Sequence, residues 1–253
     1  MHVAFADTAF LLAKRLYGEK KALISLFTQD KGLQKGMVEL SHTFSLEIGA
    51  LFSVTMQKKQ SNTLPLFDLE LIASPPPIFT HPKRDQSPLE LLKLFSHLTK
   101  LLPEWHPYPL LFKSLKTLLE STQHKIYPLQ FLIFRFFLLE ALGYGLDFTA
   151  CALSGARHNL KDNLRYICLE TGKAVGLEGV KKLPPQKLQA LRPKLAALPK
   201  PLRGMCIDYT LALTSTKTAH ENEEHFTSTD FVQANALAHH FFDKHFTEKL
   251  TFS

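Results

Sequence analysis

Apolar and polar positions alternate in short runs over the first eighty residues, and turn-forming residues separate the runs. Alternation with a period of two is typical of β-strands that bury one face. The pattern predicts five strands, over residues 5–16, 22–28, 33–40, 50–57 and 65–73. Because the connections leave no room for crossover helices, these strands are expected to form a small antiparallel barrel. Strand number alone does not separate an OB-fold from an SH3-like barrel.

The same alternation predicts the inner face of the barrel. Side chains two residues apart point to the same side of a pleated strand, so one set of alternate positions should be buried. On this basis the predicted barrel core consists of Phe10, Leu12, Leu23, Leu26, Val38, Leu51 and Val54.

Three consecutive prolines at positions 75–77 mark the end of the strand-rich region. Proline has no N–H to donate, so this segment can extend neither a helix nor a sheet ladder. Shortly after it, Ser87-Pro88-Leu89-Glu90 is a capping-box pattern with proline at the first helical position. We therefore predict a barrel over residues 1–78, a proline-rich linker over 79–86 and a mainly helical domain over 87–253.

Apolar residues in the helical region recur at spacings of three and four. This period predicts helices from Ser87 and from Thr227, and over residues 109–120, 128–142, 185–198 and 202–214. The helix 128–142 is apolar almost all round, which is typical of the middle of a bundle. Residues 146–185 are predicted to be an irregular insert, with a short hairpin formed by 164–169 and 173–176.

Charge is concentrated in one part of the chain. The sequence has 30 Lys and Arg against 23 Asp and Glu, a formal charge of +7. Residues 157–203 alone have eleven Lys and Arg against three Asp and Glu, whereas residues 204–253 have three against seven. Such a local excess favours an acidic partner, and it equally suits a solvated face that keeps the protein soluble.

The N-terminal segment lacks the pattern of a signal peptide, because no basic region precedes its short apolar run and Asp7 interrupts that run. The longest strongly apolar stretch, residues 129–142, contains Arg135 and Glu140 and is too short to span a bilayer. We expect a cytoplasmic protein with no membrane association.

No catalytic motif with the required spacing is present: the sequence has no G-x-S-x-G, P-loop, H-E-x-x-H or G-x-G-x-x-G. Histidines cluster between His239 and His245, but histidine on the wet face of an amphipathic helix is far commoner than a metal ligand. Three widely spaced cysteines, Cys151, Cys168 and Cys206, are predicted to be free thiols. We therefore expect no enzyme activity, no bound metal and no cofactor.

Two segments resemble those of a known family. The first, over residues 9–32, has an apolar strand, the turn Arg15-Leu16-Tyr17-Gly18-Glu19, and a second strand that ends in Phe27-Thr28 before a glycine. The second runs from an apolar helix through Leu142-Gly143-Tyr144 to Cys151-Ala152-Leu153-Ser154-Gly155. Together they resemble bacterial RecO proteins. The resemblance implies an α+β fold, in which an N-terminal OB-fold barrel precedes a helical domain, and a role as a recombinational DNA repair mediator.

The resemblance also implies partners. They are single- and double-stranded DNA at the nucleoid, the C-terminal tail of single-stranded DNA-binding protein, and the ring-shaped protein RecR. With these partners, the resemblance implies a role in strand annealing and recombinase loading. The candidate DNA-binding residues are Lys14, Arg15, Lys20, Lys21, Lys58, Lys59, Arg157, Lys161 and Arg165. An acidic tail with an apolar end needs an apolar pocket rimmed by cations. The candidates for that pocket are Arg135, Lys181, Lys182 and Lys187.

The sequence departs from the family pattern in three places. Many relatives bind structural zinc through two C-x-x-C pairs, whereas Ser154 replaces the second cysteine here and no cysteine pair follows Gly172. We therefore predict a metal-free remnant of a zinc-ribbon-like insert. Ile133 stands where close relatives have a tail-binding arginine. The loop after Val38, basic in many relatives, has no Lys or Arg over residues 39–43. This last loss favours an alternative function, a protein-interaction adaptor with weak DNA binding.

Overall fold

The computed structural model describes residues 3–40, 46–57, 64–79, 88–123, 127–147, 150–155, 164–198 and 228–251. The chain falls into two compact units, one made of Met1–His124 with Lys249–Ser253 and the other of Lys125–Glu248. In the described ranges, five strands and two α-helices belong to the first unit, and three strands and four α-helices follow them in the chain.

The five N-terminal strands form a closed barrel. They are β1 (Val3–Tyr17), β2 (Lys21–Thr28), β3 (Gly32–Glu39), β4 (Leu51–Gln57) and β5 (Leu66–Ala73). Their order around the barrel is β1-β2-β3-β5-β4, and β4 pairs with β1 to close it. The pairing of β3 with β5 is parallel and the other four pairings are antiparallel. The predicted N-terminal barrel is thus confirmed, and the prediction that it is antiparallel holds for all pairs but one.

Two α-helices complete the first unit. These are α1 (Pro88–Leu101) and α2 (Pro109–Glu120), and a short 3-10 helix at Pro77–Phe79 precedes them. Both α-helices begin at a proline, a position at which the missing N–H costs no intrahelical hydrogen bond. The change from strand to helix falls where the sequence predicts it, between the end of β5 and the start of α1.

The division into compact units comes later in the chain than this change, after His124, because α1 packs on β1 and belongs with the barrel. Of the predicted linker 79–86, only Phe79 lies within the described residues. A division into separate domains over 1–78 and 87–253 stays a prediction.

The barrel interior is a continuous apolar cluster. It consists of Ala9, Leu11, Ala22, Ile24, Leu26, Val38, Leu46, Ala50, Phe52, Val54, Met56 and Phe67. Buried and half-buried residues alternate along β4 and along most of β2, as expected for strands with one face inward. This burial fixes the register, because a slip of one residue would turn the apolar set outward.

The predicted inner face is only partly right. Three of its seven residues, Leu26, Val38 and Val54, belong to the interior cluster. Leu23 and Leu51 are only half-buried, because they lie on the opposite face of β2 and β4 from the residues of the cluster. The prediction took one residue from each face of these two strands, because Leu23 and Leu26, like Leu51 and Val54, are three residues apart and point to opposite sides.

Phe10 and Leu12 are buried but lie outside the interior cluster. The ring of Phe10 packs on Phe112 of α2, with 5.3 Å between ring centroids. At Leu12 a bulge between Leu11 and Ala13 shifts the pairing of β1 with β2. Both faces of β1 are buried in this stretch, so alternation cannot tell which face points into the barrel.

The second part of the chain combines helices with a small sheet. The helices are α3 (Tyr127–Ala141), α4 (Leu177–Lys181), α5 (Pro185–Leu191) and α6 (Ser228–Thr251). The strands are β6 (Leu164–Cys168), β7 (Ala174–Gly176) and β8 (Leu195–Ala197), and β6 pairs antiparallel with both of the others. The hairpin predicted within residues 146–185 is confirmed, and α3 is buried on nearly all sides, as predicted. No described helix is long and apolar enough to cross a membrane.

One helix prediction in this unit is wrong. The sequence predicts a helix over 185–198, whereas α5 ends at Leu191 and residues 195–197 form β8. Pro193 lacks the N–H that a continuing helix needs, and β6 offers a strand edge with which the following residues pair. The predicted helix over 202–214 lies outside the described residues.

Candidate nucleic-acid interface

Four of the predicted DNA-binding cations of the barrel lie on one hairpin. Lys14 and Arg15 are near the end of β1, Lys20 is in the turn and Lys21 begins β2. The strands pair in register up to Tyr17 opposite Lys21. The first three cationic side chains are exposed and the fourth is half-buried. The hairpin therefore holds four positive charges within a few residues of one another, while Lys58 and Lys59 lie outside the described residues.

The four hairpin cations differ in what they already contact. The ammonium of Lys14 donates a hydrogen bond to the carbonyl of Leu46, and Lys21 Nζ lies 3.7 Å from the Glu39 carboxylate. Among the residues that the structure describes, Arg15 and Lys20 form no ion pair. An exposed pair such as that of Lys21 contributes little free energy, so a phosphate can replace its carboxylate at small cost.

An exposed aromatic ring lies beside these charges. Tyr17 ends β1 with 61% of its surface exposed. Single-stranded nucleic acid is bound by cations that follow the backbone and by aromatic rings on which bases stack. The end of the β1–β2 hairpin offers both kinds of group.

The predicted cations of the second unit are spread over several elements. Arg165 is exposed on β6, Lys181 ends α4, Lys182 follows it and Lys187 is exposed on α5. Lys181 Nζ lies 2.9 Å from Glu178, and the hydrogen bond from this lysine lowers the pKa of the glutamate. The remaining candidates, Arg157 and Lys161, are outside the described residues.

Arg135 differs from the other predicted tail-binding residues because it is only 6% exposed. Its guanidinium lies 5.4 Å from the centroid of the Phe242 ring, a distance at which a cation is attracted to the face of an aromatic ring. A peptide would have little access to this side chain, so we expect it to contribute least among the four.

A cleft of 320 Å³ lies in the first unit and was not predicted from the sequence. It is lined by Phe10, by the prolines 75–77 and by Leu119 of α2. Its walls carry both Lys116 and Glu120, so the cleft has no net charge that would select an acidic peptide.

The insert of the second unit contains two turns of the same design, which we call the thiol turns. They are Cys151-Ala152-Leu153-Ser154-Gly155 and Cys168-Leu169-Glu170-Thr171-Gly172. In each turn the glycine has a positive φ, 65° and 68°, and its N–H donates to the carbonyl of the cysteine over 2.8 Å. Only the first turn carries the family motif; the second lies in the predicted hairpin, where no cysteine pair follows Gly172. The repeated spacing Cys-x-x-Ser/Thr-Gly was the available signal.

Hydrogen bonds lower the pKa of both cysteine thiols. Burial by itself raises the pKa of Cys151, but hydrogen bonds from the hydroxyl of Ser154 and from the N–H groups of Gly176, Leu153 and Ser154 together outweigh it. Burial likewise raises the pKa of Cys168, and hydrogen bonds from Thr171 and the N–H of Glu170 more than offset burial and the charge of the Glu170 side chain.

The donor groups of the thiol turns do not fit a structural zinc ion, which takes four thiolate or imidazole ligands. Each turn supplies one thiol and one hydroxyl. In the described part of the chain, no three His, Cys, Asp or Glu side chains lie together as a metal site. Within each turn the hydroxyl is a hydrogen-bond donor to the thiol, and no step of the function is assigned to a metal.

Comparisons with known proteins agree with these observations. The family model described as "Recombination protein O C terminal" matches residues 94–197. The DNA repair protein RecO of Anaplasma marginale is 32% identical over 201 residues, which cover 79% of this chain and 78% of the relative. The DNA repair protein RecO of Ehrlichia chaffeensis is 30% identical over 254 residues, which cover 97% of this chain and 91% of the relative. That of a Ruegeria species is 33% identical over 174 residues, which cover 67% of this chain and 70% of the relative. The chain belongs to the RecO family.

Proposed function

We propose that this protein is a mediator of recombinational DNA repair that catalyses no covalent reaction. In this role it binds single- and double-stranded DNA and single-stranded DNA-binding protein, promotes strand annealing, and loads recombinase together with RecR in the cytoplasm. Family membership supports the proposal, because the relatives that match along most of the chain are named as DNA repair proteins.

The observation that carries the DNA-binding part is the charged end of the β1–β2 hairpin. It presents Lys14, Arg15, Lys20 and Lys21 beside an exposed tyrosine on a closed five-stranded barrel. Cations that neutralise phosphates release counterions, so binding through this hairpin weakens as salt rises.

A salt titration of DNA affinity tests the proposal. Fluorescence anisotropy of a labelled single strand gives the dissociation constant at several salt concentrations for the full chain and for a variant with Lys14, Arg15, Lys20 and Lys21 all changed to Glu. Each lost phosphate contact should reduce the slope of log affinity against log salt by about 0.7. The control of equal charge reverses Lys93, Lys100, Lys113 and Lys116, which are exposed on α1 and α2. Equal affinities and slopes for all three proteins would contradict the proposed interface.

The binding of a partner tail is assigned to Lys181, Lys182 and Lys187, with a smaller part for Arg135. The three lysines lie on or beside α4 and α5 within seven residues of sequence, and all are exposed. An acidic peptide with an apolar C-terminal residue is the probe. Changing the three lysines to Glu should weaken its binding by about 1.5–3 kcal/mol for each charged hydrogen bond that becomes desolvated in the complex.

The same triple change should leave the thermal midpoint nearly unmoved, because exposed lysines contribute little to folding. Reversal of Lys93, Lys100 and Lys113, which are exposed in the first unit, is the control of equal charge. Peptide affinity within about twofold of the wild type, despite the triple reversal, would mean that these lysines only form a solvated face.

An adaptor with weak DNA binding is the alternative function. Exposed apolar residues on barrel strands favour it: Leu16 on β1, and Leu71 and Ile72 on β5, are all at least half exposed. Apolar surface of this kind is suited to protein contacts. An adaptor would bind DNA weakly with a slope unaffected by the hairpin reversals, which is the opposite of the result expected above.

A further inference from the structure

Trp105, the single tryptophan of the chain, lies in the loop between α1 and α2 with 51% of its surface exposed. We call residues 102–108 the aromatic loop. Tryptophan carries the largest apolar surface of any side chain, so half-exposure forgoes a large burial free energy. A role at the surface would account for this.

The backbone of Trp105 is in an unfavourable conformation. Its φ is 62°, and it is the only residue other than glycine with a positive φ in the described ranges of the chain. In this region Cβ crowds the following carbonyl, so a bulky residue stays there only where surrounding contacts hold it. Strain of this kind tends to accompany sites where a side chain must point in one direction.

Contacts with β3 hold the aromatic loop in place. The N–H of Trp105 donates to the carbonyl of Leu33 over 3.1 Å, and Glu104 forms a bridge with Leu33. Lys35 Nζ lies 3.1 Å from the Glu104 carboxylate. At Gly32 a Cβ atom would lie 1.8 Å from the carbonyl oxygen of His106, so the loop approaches the strand at a distance that only glycine allows. The backbone at Trp105 is therefore attached to the barrel wall, which fixes the point and direction from which the indole leaves the chain.

The surroundings of the indole combine aromatic rings with charges of both signs. The ring of Phe5 on β1 lies 6.0 Å away at 86°, an edge contact. Next in the loop, the ring of His106 is 4.8 Å from that of Tyr108. Lys31, just before β3, and Lys35, on β3, are exposed. The negative charges of Asp30 and Glu104 offset their positive charges. Any contribution of this surface to binding must therefore come from the rings more than from net charge.

We propose that Trp105 stacks on an unpaired base of single-stranded DNA and that the aromatic loop is a stacking platform on the barrel. This inference rests on the proposed DNA-binding function. A flat π-face accepts any base, and a side chain on a backbone that is already fixed loses less freedom on binding. The neighbours of the ring in the loop, Glu104 and His106, are polar, which favours a nucleic-acid base over an apolar protein surface as its ligand.

Intrinsic fluorescence tests the contact directly, because emission from the protein's only indole reports on position 105 alone. The full chain is titrated with a thymidine homopolymer while emission is recorded. Stacking should quench the emission, with a midpoint equal to the dissociation constant from anisotropy. Emission that is unchanged, or that shifts to the blue without quenching, while DNA binds would overturn the inference.

Two substitutions separate the ring from the backbone. Trp105→Gly removes the ring and leaves a residue that adopts a positive φ without strain. The fold should be retained, because relief of the backbone strain offsets most of the lost contact with Phe5. Its affinity for the single strand should fall by about 5- to 150-fold, the range for loss of one stacked base. Trp105→Phe keeps a smaller ring and should lose less. Leu110→Ala, at an exposed apolar position at the start of α2, is the matched control and should bind as the wild type does.

Salt and duplex DNA sharpen the test. Removal of the ring breaks no phosphate contact, so the salt slope of Trp105→Gly should equal that of the wild type. Bases in a duplex are already stacked and paired, so affinity for duplex DNA should not change. Full single-strand affinity in Trp105→Gly, or an altered salt slope, would overturn the role of Trp105 and leave the proposed function standing. A wild-type protein that binds no DNA at low salt would overturn the proposed function itself.

Discussion

Two hairpins of the molecule, β1–β2 and β6–β7, are held in contrasting ways. The β1–β2 hairpin contributes Leu11, Ile24 and Leu26 to a closed apolar interior, where these side chains are almost completely buried. The β6–β7 hairpin is shorter: it buries Ile167, Ala174 and Val175, and hydrogen bonds to two thiols hold its ends. Cys168 and Thr171 form its turn, and the N–H of Gly176 donates to Cys151 Sγ over 3.3 Å.

The difference indicates which kind of change should destabilise each hairpin most. An apolar interior consists of many weak contacts, so removing one large side chain creates a cavity that its neighbours cannot fill. The thiol turns depend on a few hydrogen bonds, each small, whose strength changes with the ionisation of a thiol. We therefore expect large effects that are independent of pH in the barrel, and small pH-dependent ones in the insert.

The largest effect is expected for Phe52→Ala on β4. Phe52 is completely buried in the barrel interior, and truncation of a buried phenylalanine costs about 3–5 kcal/mol of unfolding free energy. Urea unfolding of the full chain measures the loss. Leu71→Ala on β5, half exposed, is the control and should change the unfolding free energy by less than about 0.5 kcal/mol. Similar losses for the two variants would mean that the interior cluster does not dominate the stability of the barrel.

The next largest effect is expected for Gly32→Ala. Comparing it with Gly18→Ala separates the cost of the close approach from the cost of backbone strain. Gly32 has a φ of 71°, and a Cβ atom there would meet the His106 carbonyl, whereas Gly18 has a φ of 68° with nothing near its Cβ. Backbone strain alone costs about 1–3 kcal/mol at either position. Gly32→Ala must also displace the aromatic loop, so it should lose more stability than Gly18→Ala and shift the Trp105 emission to the red. Equal losses of unfolding free energy in the two variants would show that the close approach of the loop to Gly32 does not affect stability.

A smaller effect is expected for Ser154→Ala and Thr171→Ala in the thiol turns. Each removes one hydroxyl hydrogen bond, worth about 0.5–1.5 kcal/mol. Each should also raise the pKa of its thiol, which thiolate absorbance can follow in a Cys206→Ser background. Thr117→Ala is the control, since its hydroxyl donates to the carbonyl of Lys113 in α2 and it belongs to neither thiol turn.

The sign of the pH dependence follows from the lowered pKa of both thiols in the fold. The contribution of a thiolate to stability is complete above the unfolded-state pKa of about 8.5 and is lost as pH falls through the lower folded-state pKa. The difference in stability between wild type and the two alanine variants should therefore be larger at pH 9.5 than at pH 6. A constant difference would contradict thiolate stabilisation by the hydroxyls.

The smallest effect concerns His245 on α6, whose ring stacks on Tyr144 at 4.2 Å. Burial first, and then the charges of Lys244 and His240, lower its pKa. The neutral imidazole of His245 therefore contributes its full stability above the unfolded-state pKa of about 6.5. This contribution is lost as pH falls below that value and through the lower folded-state pKa. His245→Phe keeps an aromatic ring and cannot be protonated. Because solvent screens a side chain that is only half-buried, the loss of stability between pH 7.5 and 5.5 should shrink by about 0.5 kcal/mol or less in this variant. If the unfolding free energy of the variant falls with pH as that of the wild type does, protonation of His245 does not destabilise the fold.

Much of the fold could be predicted because turn residues and alternation locate a strand without knowledge of its partners. The five barrel strands begin and end within two residues of their predicted bounds, and α2 has its predicted bounds. The inward face of β1 could not be predicted, because Phe10 is buried against α2 on the outer side. Strand β8 was missed for a similar reason, since its conformation depends on the edge of β6.

The site was harder to predict than the fold, because function depends on which side chains the tertiary structure exposes. The hairpin cations are exposed as expected, whereas Arg135 is buried beside Phe242. Trp105 carried no local signal in the sequence: its positive φ depends on contacts with β3, which is more than sixty residues earlier in the chain. Local patterns do not contain such long-range constraints.

The parallel pairing of β3 with β5 makes one seam of the barrel weaker than the others. In that seam only Met37 with Leu66 and Val38 with Phe67 are in register, whereas β2 and β3 pair along their whole length. Segments with few backbone hydrogen bonds open locally at a smaller free energy than global unfolding requires. The amide proton of Met37, bonded to the carbonyl of Pro65, should therefore exchange with solvent before those in the middle of β2. Each opening briefly frees two strand edges, through which another chain could add a strand to the barrel.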